Sequence, residues 1–259
     1  MIVKKKTKNT EVPNPNKTSA PGDGMRLNKY VAHSGICSRR QAAELVKKGL
    51  IKVNGKVEVN PGYLVLEKDK VEYKGRRIEP EKRKVYILLN KPKNVITTTR
   101  DEQGRSTVMD IIQKKVKERV YPVGRLDRGT TGLILITNDG DLAKKLSHPS
   151  HEVKKFYHVV LDKPLEKSDL EKIRKGVELE EGVAIVDAID YVGHADKNEV
   201  GIELHLGWNR VIRRIFEKLG YEVVRLDRTW FAGLTKKGLP RGRFRHLTQQ
   251  EIIMLKHFV

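Results

Sequence analysis

The sequence predicts an α+β protein in two unequal domains: a small helix–helix–hairpin domain at residues 25–73 and a larger domain at residues 85–259. Three observations carry this expectation. A chain of 259 residues is long enough for two domains, one of them with a sizeable core. The stretch 74–84 is charged and contains Gly75 and Pro80, the composition of a linker. Before it, two helical patterns and a hairpin follow one another within fifty residues; after it come breaker-free apolar strands such as Leu133–Ile136, with helical patterns between them.

Charge narrows the class of partner. Lys and Arg number 53 against 33 Asp and Glu, a net charge of +20 spread over the whole chain. Such a surface attracts polyanions, nucleic acid first. An anionic membrane surface would also serve, but no apolar run approaches the roughly 20 residues needed to span a bilayer. Met1 to Lys8 is basic with no apolar core behind it, so no signal peptide is expected. The single cysteine, Cys37, allows neither an internal disulfide nor a thiolate cluster for zinc, and reads as a small, partly buried filler. A cytoplasmic location is expected.

Taken in order, residues 1–24 hold KKKTKN, two prolines near Asn14 and little that could build a core. They read equally as a disordered basic arm held near phosphates by charge or as a solvated tail. From Met25, Leu27, Tyr30 and Val31 have helical spacing, and Gly35 ends the segment. Ser38 is placed to cap a second helix with Ala42, Leu45 and Val46 inward and Gly49 past its end. Asn54-Gly55 between two short strands is the strongest short hairpin signal. The exposed helix positions carry Arg26, Lys29, Arg39, Arg40, Lys47 and Lys48. A charge run is usually a solvated face, but its recurrence on both helices favours a surface that tracks phosphates.

The larger domain opens with a buried strand, Val85–Leu89, broken at Lys91-Pro92. Ser106 can cap a helix with Val108, Met109, Ile112 and Val116 inward. After the Leu133–Ile136 strand, Asp139 or Asp141 starts a helix through Leu142 and Leu146 that ends at His148-Pro149. His148 and His151 lack a third ligand at a sensible spacing, so no metal site is expected. Lys155–Leu161 is a strand with Tyr157 and Val159 on one face and Phe156 and His158 on the other. A helix over Ser168–Lys175 and strands near Val177–Leu179, Val183–Tyr191 and Val200–Leu206 follow. Asn209 and Gly220 bound a helix whose stripe is Val211, Ile212, Ile215, Phe216 and Leu219. A strand near Val223–Leu226, a loop through Gly233 and Gly238, and a last helix with a Thr248/Glu251 capping box complete the chain. There is no internal repeat, no GxxxxGK[ST], no GxGxxG and no zinc-ligand spacing.

Three places can carry chemistry. Asp127 stands between Arg125 and Arg128 in YPVGRLDRGTTGLILIT, in a turn at the mouth of a rigid strand; by composition alone Asp127-Arg128-Gly129 is simply a favoured turn. Tyr157 in its strand is, by itself, core packing. Arg210, Arg213 and Arg214 crowd the start of a helix, where cations oppose the dipole. Arg213 can meet Asp127, the group can meet phosphates, or the face can simply be solvated. Near the end, Trp230, Phe231 and Phe244 lie among Arg228, Lys236, Lys237, Arg241, Arg243 and Arg245, an arrangement for stacking on unpaired bases or for closing the core.

Two resemblances bring these pieces together. RLNKYVAHSGICSRRQAAELVKKGLIKVNG resembles the RNA-binding domain typified by ribosomal protein S-four, over residues 25–73. LNKPKNVITT, GRLDRGTTGLILITNDG, KKFYHVVL and NRVIRRIFEKLGYEVVRLDR, in that order, resemble the RsuA/RluB family of ribosomal RNA pseudouridine synthases, over residues 25–259. One departure is Val211, where that family commonly has Gln, which touches a polar contact of the helix start. The resemblance implies a catalytic domain on a long mixed, largely antiparallel sheet with an active cleft across its middle. It implies Asp127 as the catalytic aspartate, Tyr157 as the aromatic stacking on the target base, Arg213 as the partner of the aspartate and Arg125 as a holder of the extruded nucleotide. Asn209, Arg210 and Arg214 are expected to contact RNA with them.

The implied reaction moves the ribose bond from a ring nitrogen of uracil to a ring carbon; it is redox-neutral, so no cofactor or metal is expected. A carboxylate can divide such a step through a covalent intermediate, and a neighbouring Arg favours its ionised form. Flipping the base out costs of order a few kcal/mol, part of which a stacking aromatic recovers, and the Tyr157 phenol can also move a proton. The expected partner is ribosomal RNA, large-subunit by closeness to the RluB branch, or a subunit precursor, with the protein acting as a monomer. A non-catalytic ribosome-assembly factor would explain the charge but not the Asp127, Tyr157 and Arg213 set. A DNA-binding regulator has no helix-turn-helix or zinc finger to support it.

Overall fold

The computed structural model describes residues 24–113, 115–193 and 196–257, so the expected basic arm, apart from Gly24, lies outside the described residues. The chain divides into two compact units between Lys82 and Arg83.

In the smaller unit, helices Leu27–His33 and Arg39–Lys47 meet through Leu27, Val31, Ala42 and Val46, all fully buried. Ser38 caps the second helix, its backbone N–H donating to Gln41 Oε1 at 3.0 Å while Gln41 N–H donates to Ser38 Oγ at 3.3 Å. Asn54 and Gly55, at φ 52° and 80°, turn Ile51–Val53 into Lys56–Val57 with both central residues left-handed, the twist a two-residue hairpin needs. Two expectations shift. Met25–Arg26 is a short strand paired with Leu64–Val65, so the first helix starts only at Leu27. Arg76–Arg77 pairs with Val71–Tyr73 around Lys74-Gly75, so the small sheet extends into the stretch expected to be linker.

The larger unit is built on a nine-stranded sheet. Its main path runs Ala188–Tyr191, Glu199–Leu204, Lys155–Leu161, Val223–Phe231, Thr131–Thr137, Tyr86–Lys91, Phe244–His246. Neighbours are antiparallel except Thr131–Thr137 and Val223–Phe231, which run parallel, so the sheet is mixed and largely antiparallel. All seven residues of Thr131–Thr137 are buried. The two-residue period puts Ile134 and Ile136 in one core and Leu133 and Leu135 in the other, which explains an apolar run without polar alternation. Helices Val108–Ile112, Lys167–Lys175 and Val211–Lys218 cover the first face, and Gly140–Ser147 and Gln249–His257 the second. Among the described residues no helix is long and apolar enough to cross a membrane.

Several element boundaries differ from expectation for local reasons. Thr107, not Ser106, caps the Val108 helix, its N–H donating to Asp110 Oδ2 at 2.7 Å; that helix ends at Ile112, and Val116 reaches the core from beyond it. The helix expected from Ser168 starts at Lys167 after Glu166. Val183–Tyr191 is two strands, Gly182–Ala184 and Ala188–Tyr191, and the Val200–Leu206 strand stops at Leu204. The helix expected to be capped by Asn209 is preceded instead by Arg210 in a left-handed conformation, φ 48°. Finally, Val223–Leu226 continues unbroken to Phe231, carrying Arg228 and Trp230 in a central strand.

Candidate active site

The Asp127 turn is anchored on one side by its own chain. Leu126 is buried in the core, and the Asp127 carbonyl accepts from Thr130 N–H at 3.0 Å, closing the turn ahead of the Thr131–Thr137 strand. The segment after Tyr86–Lys91 grips the turn from the other side. Thr97 Oγ1 donates to the Leu126 carbonyl at 2.8 Å and accepts from its N–H at 3.2 Å, and Asn94 N–H donates to the Arg128 carbonyl at 2.9 Å. Lys91, with no exposed surface, donates from Nζ to the carbonyls of Val95 at 2.7 Å, Pro92 at 3.1 Å and Arg128 at 3.5 Å. Burial pushes its ammonium down to about 8, and the charge of Asp127 opposes that shift. Lys91 and Thr97 are positioning groups that reading the residues one by one missed. The available signal was a lysine following directly on the largely apolar run VYILLN, a cation that a buried strand accepts only if its protons are taken up.

Gly132 sets how close the next strand comes. Its φ is 105°, and a Cβ built there would lie 2.2 Å from the Arg228 carbonyl oxygen. Only a residue without a side chain allows the parallel pair Asp227–Thr131 and Arg228–Gly132 to form. That pairing brings the Asp127 turn alongside Val223–Phe231.

A cleft of about 610 Å³ opens between these elements and the loop before the Val211 helix. Asp127, Arg125 and Tyr157 line it together, as do Trp208, Asn209 and Arg210. Asp127 is half-buried on its lip and Arg125 is exposed. Tyr157 is 8% exposed and belongs at once to the core and to the cleft wall. The Thr130 hydroxyl, also on the wall, is buried without a hydrogen-bond partner. Opposite Tyr157 in the register stands Arg228, 3% exposed, its Nε donating to the Leu133 carbonyl at 2.7 Å and its guanidinium 4.7 Å from the Phe231 ring centre.

Other candidates fall differently. Arg213 does not line the cleft; its Nη1 donates to the Val223 carbonyl at 2.7 Å, and a Cβ on Gly129 would stand 3.9 Å from its Nη2. Its protonation is made less favourable by burial and then by Arg210, while Asp127 acts in the opposite sense, so the two charges feel each other without an ion pair. Arg214 is turned to Glu181 in a two-pronged pair at 2.7 and 2.8 Å. Arg39, Arg40, Lys47 and Lys48 are exposed on one helix of the small unit, Lys47 within 3.5 Å of Glu44; Arg26 is exposed and Lys29 half-buried beside them. Near the end, Lys236 and Arg241 pair with Asp227, Arg245 pairs with Glu251, and Phe231 closes the core. His148 hydrogen-bonds Ser150 at 2.7 Å, and among the described residues no group of three His, Cys, Asp or Glu is placed to hold a metal ion.

Residues 85–218 match the RNA pseudouridylate synthase family and residues 25–71 match the S4 domain. The chain is 42% identical over 234 residues to the ribosomal large subunit pseudouridine synthase B of Bacillus subtilis (strain 168), spanning 89% of this chain and 95% of that one. It is 38% identical over 240 residues to the dual-specificity RNA pseudouridine synthase RluF of Escherichia coli (strain K12), spanning 91% and 79%. A crystal structure of a pseudouridylate synthase matches with a TM-score of 0.63 and 25% identity, covering 90% of this chain and all of that one.

Proposed function

The chain belongs to the RNA pseudouridylate synthase family, and from that premise we propose that it isomerises one uridine of ribosomal RNA, in the large subunit, with Asp127 as the nucleophile. The observation that carries this reading is the Asp127 carboxylate on the lip of a cleft walled by Tyr157, in a turn held rigid by Lys91, Thr97 and Asn94. The uridine leaves its stack and lies on the Tyr157 ring, and Arg125, Asn209 and Arg210 at the cleft mouth hold its flanking backbone. Asp127 then forms the covalent intermediate that lets the N1 bond to ribose break and the C5 bond form. C5 gives up its proton, N1 takes one, and the Tyr157 phenol is within the cleft to assist. Arg213 stands behind the turn as the partner of the aspartate, and the charge of Asp127 favours its protonated form.

Arg26, Lys29, Arg39, Arg40, Lys47 and Lys48 of the small unit supply the phosphate contacts. In the larger unit Arg214, held by Glu181 in a two-pronged pair at 2.7 and 2.8 Å, is left out of the proposed RNA contacts. The protein acts as a monomer, in the cytoplasm, on ribosomal RNA or a subunit precursor. Release of tritium from ribosomal RNA carrying 5-tritiated uridine tests this directly. One equivalent per large-subunit RNA and none per small-subunit RNA is expected. No release from either RNA or from subunit precursors would leave the non-catalytic assembly-factor reading in its place.

A further inference from the structure

Arg228 is a buried cation whose contacts are all neutral. Its Nε meets a carbonyl, its guanidinium carbon lies over Phe231, its Nη2 is buried with no hydrogen-bond partner, and the residue lines the cleft. Buried guanidinium groups are ordinarily matched to a carboxylate, because an unmatched one is costly. The adjacent carboxylate, Asp227, cannot serve: the next residue along a strand faces the other way, and its oxygens are taken by Thr131, Lys236 and Arg241. Beside Arg228 is a second cation. Lys155 lines the same wall, two residues from Tyr157 along the strand and so on the same face. One proton of its ammonium goes to the His205 carbonyl at 2.6 Å, which leaves two for another acceptor. Two like charges thus flank Tyr157 on the wall of an open cleft.

We propose that Arg228 and Lys155 form a subsite for a phosphodiester of the nucleotide stacked on Tyr157. This rests on the reading of the cleft as the uridine site and adds what grips its backbone inside. A phosphodiester is the permanent anion of a nucleotide, and two cations side by side favour a full negative charge over the dipole of a uracil carbonyl. Arg228 offers a planar guanidinium already fixed at its Nε by the Leu133 carbonyl, and Lys155 a mobile point charge. The electrostatics agree. Burial first, then the charge of Arg228, push the Lys155 ammonium down to about 8, against a smaller opposing pull from Asp187. Asp187 itself faces His205, whose Nδ1 lies 2.8 Å away. An anion between the two cations would reverse the repulsive part of this shift.

Calorimetry with uridine 3′,5′-bisphosphate, uridine and inorganic phosphate, each added to the full-length protein, tests the assignment. The bisphosphate should bind about tenfold more tightly than uridine. That advantage should vanish in Lys155→Met and persist in Lys155→Arg and in Asp127→Asn. By NMR of ε-carbon-labelled lysine, the Lys155 titration should move up with the bisphosphate and stay in place with uridine, which a purely structural lysine would not do. Equal affinity for bisphosphate and uridine, or an advantage that survives Lys155→Met, would overturn the subsite. Inorganic phosphate binding as tightly as the bisphosphate would overturn its assignment to a nucleotide. Binding needs no turnover, so a phosphate advantage in a protein that forms no pseudouridine would sink the proposed reaction and not this site.

Discussion

A lysine with no exposed surface sits behind Asp127, and its consequences are measurable. Burial brings the Lys91 ammonium from an ordinary 10.5 down to about 8. Between those values the unfolded chain binds a proton that the folded protein does not. The stability this group confers is therefore fully present above 10.5, and is lost as pH falls through 8. Lys155, also brought down to about 8, adds the same dependence. Urea unfolding should show stability rising from pH 8 to 10 by at most about 1.4 kcal/mol per pH unit for each lysine. Lys91→Met should remove its share of that slope, and an unchanged slope would mean that Lys91 titrates as it does in the unfolded chain. Residue by residue, the site was only partly legible. Asp127 and Tyr157 each had a bland reading as turn and core, and Tyr157 is indeed in the core as well as on the cleft. Lys91 and Thr97 act through carbonyls brought together by the fold, which no local pattern encodes.

At the scale of elements, the site depends on one parallel pairing in a sheet that is otherwise antiparallel. Gly132→Ala would force a methyl group to within 2.2 Å of the Arg228 carbonyl at a φ of 105°. The pair would have to separate, so the substitution should cost more than about 4 kcal/mol, the exceptional range for a single change. Thermal unfolding checks this; a melting temperature within a few degrees of wild type would show that the strands need not approach so closely. Capping and periodicity were legible in part: Ser38 and Thr248 cap as expected, Asp139 rather than Asp141 caps its helix, and the cap expected of Ser106 falls to Thr107. The start of the Val211 helix was not. Asn209 has the better capping side chain, yet the chain enters through a left-handed Arg210 that lines the cleft. The continuation of Val223–Leu226 to Phe231 was hidden as well: Asp227 is paired with Lys236 and Arg241 from elsewhere in the fold, while Arg228 stays in the strand with only its Nε held, by the Leu133 carbonyl.

For the whole molecule, the division between Lys82 and Arg83 makes the share of RNA affinity carried by the small unit measurable. A protein beginning at Arg83 should fold cooperatively, bind ribosomal RNA about tenfold or more weakly at low salt, and show a shallower salt dependence. An unfolded truncated chain would contradict that division. The most direct test of the central claim is pseudouridine mapping of large-subunit ribosomal RNA treated with wild-type protein or with Asp127→Asn. Wild type should give one new pseudouridine and the variant none, while the variant's RNA affinity should stay within about twofold because the charge lost faces no ion-pair partner. The same pseudouridine formed by Asp127→Asn at a comparable rate would contradict the claim.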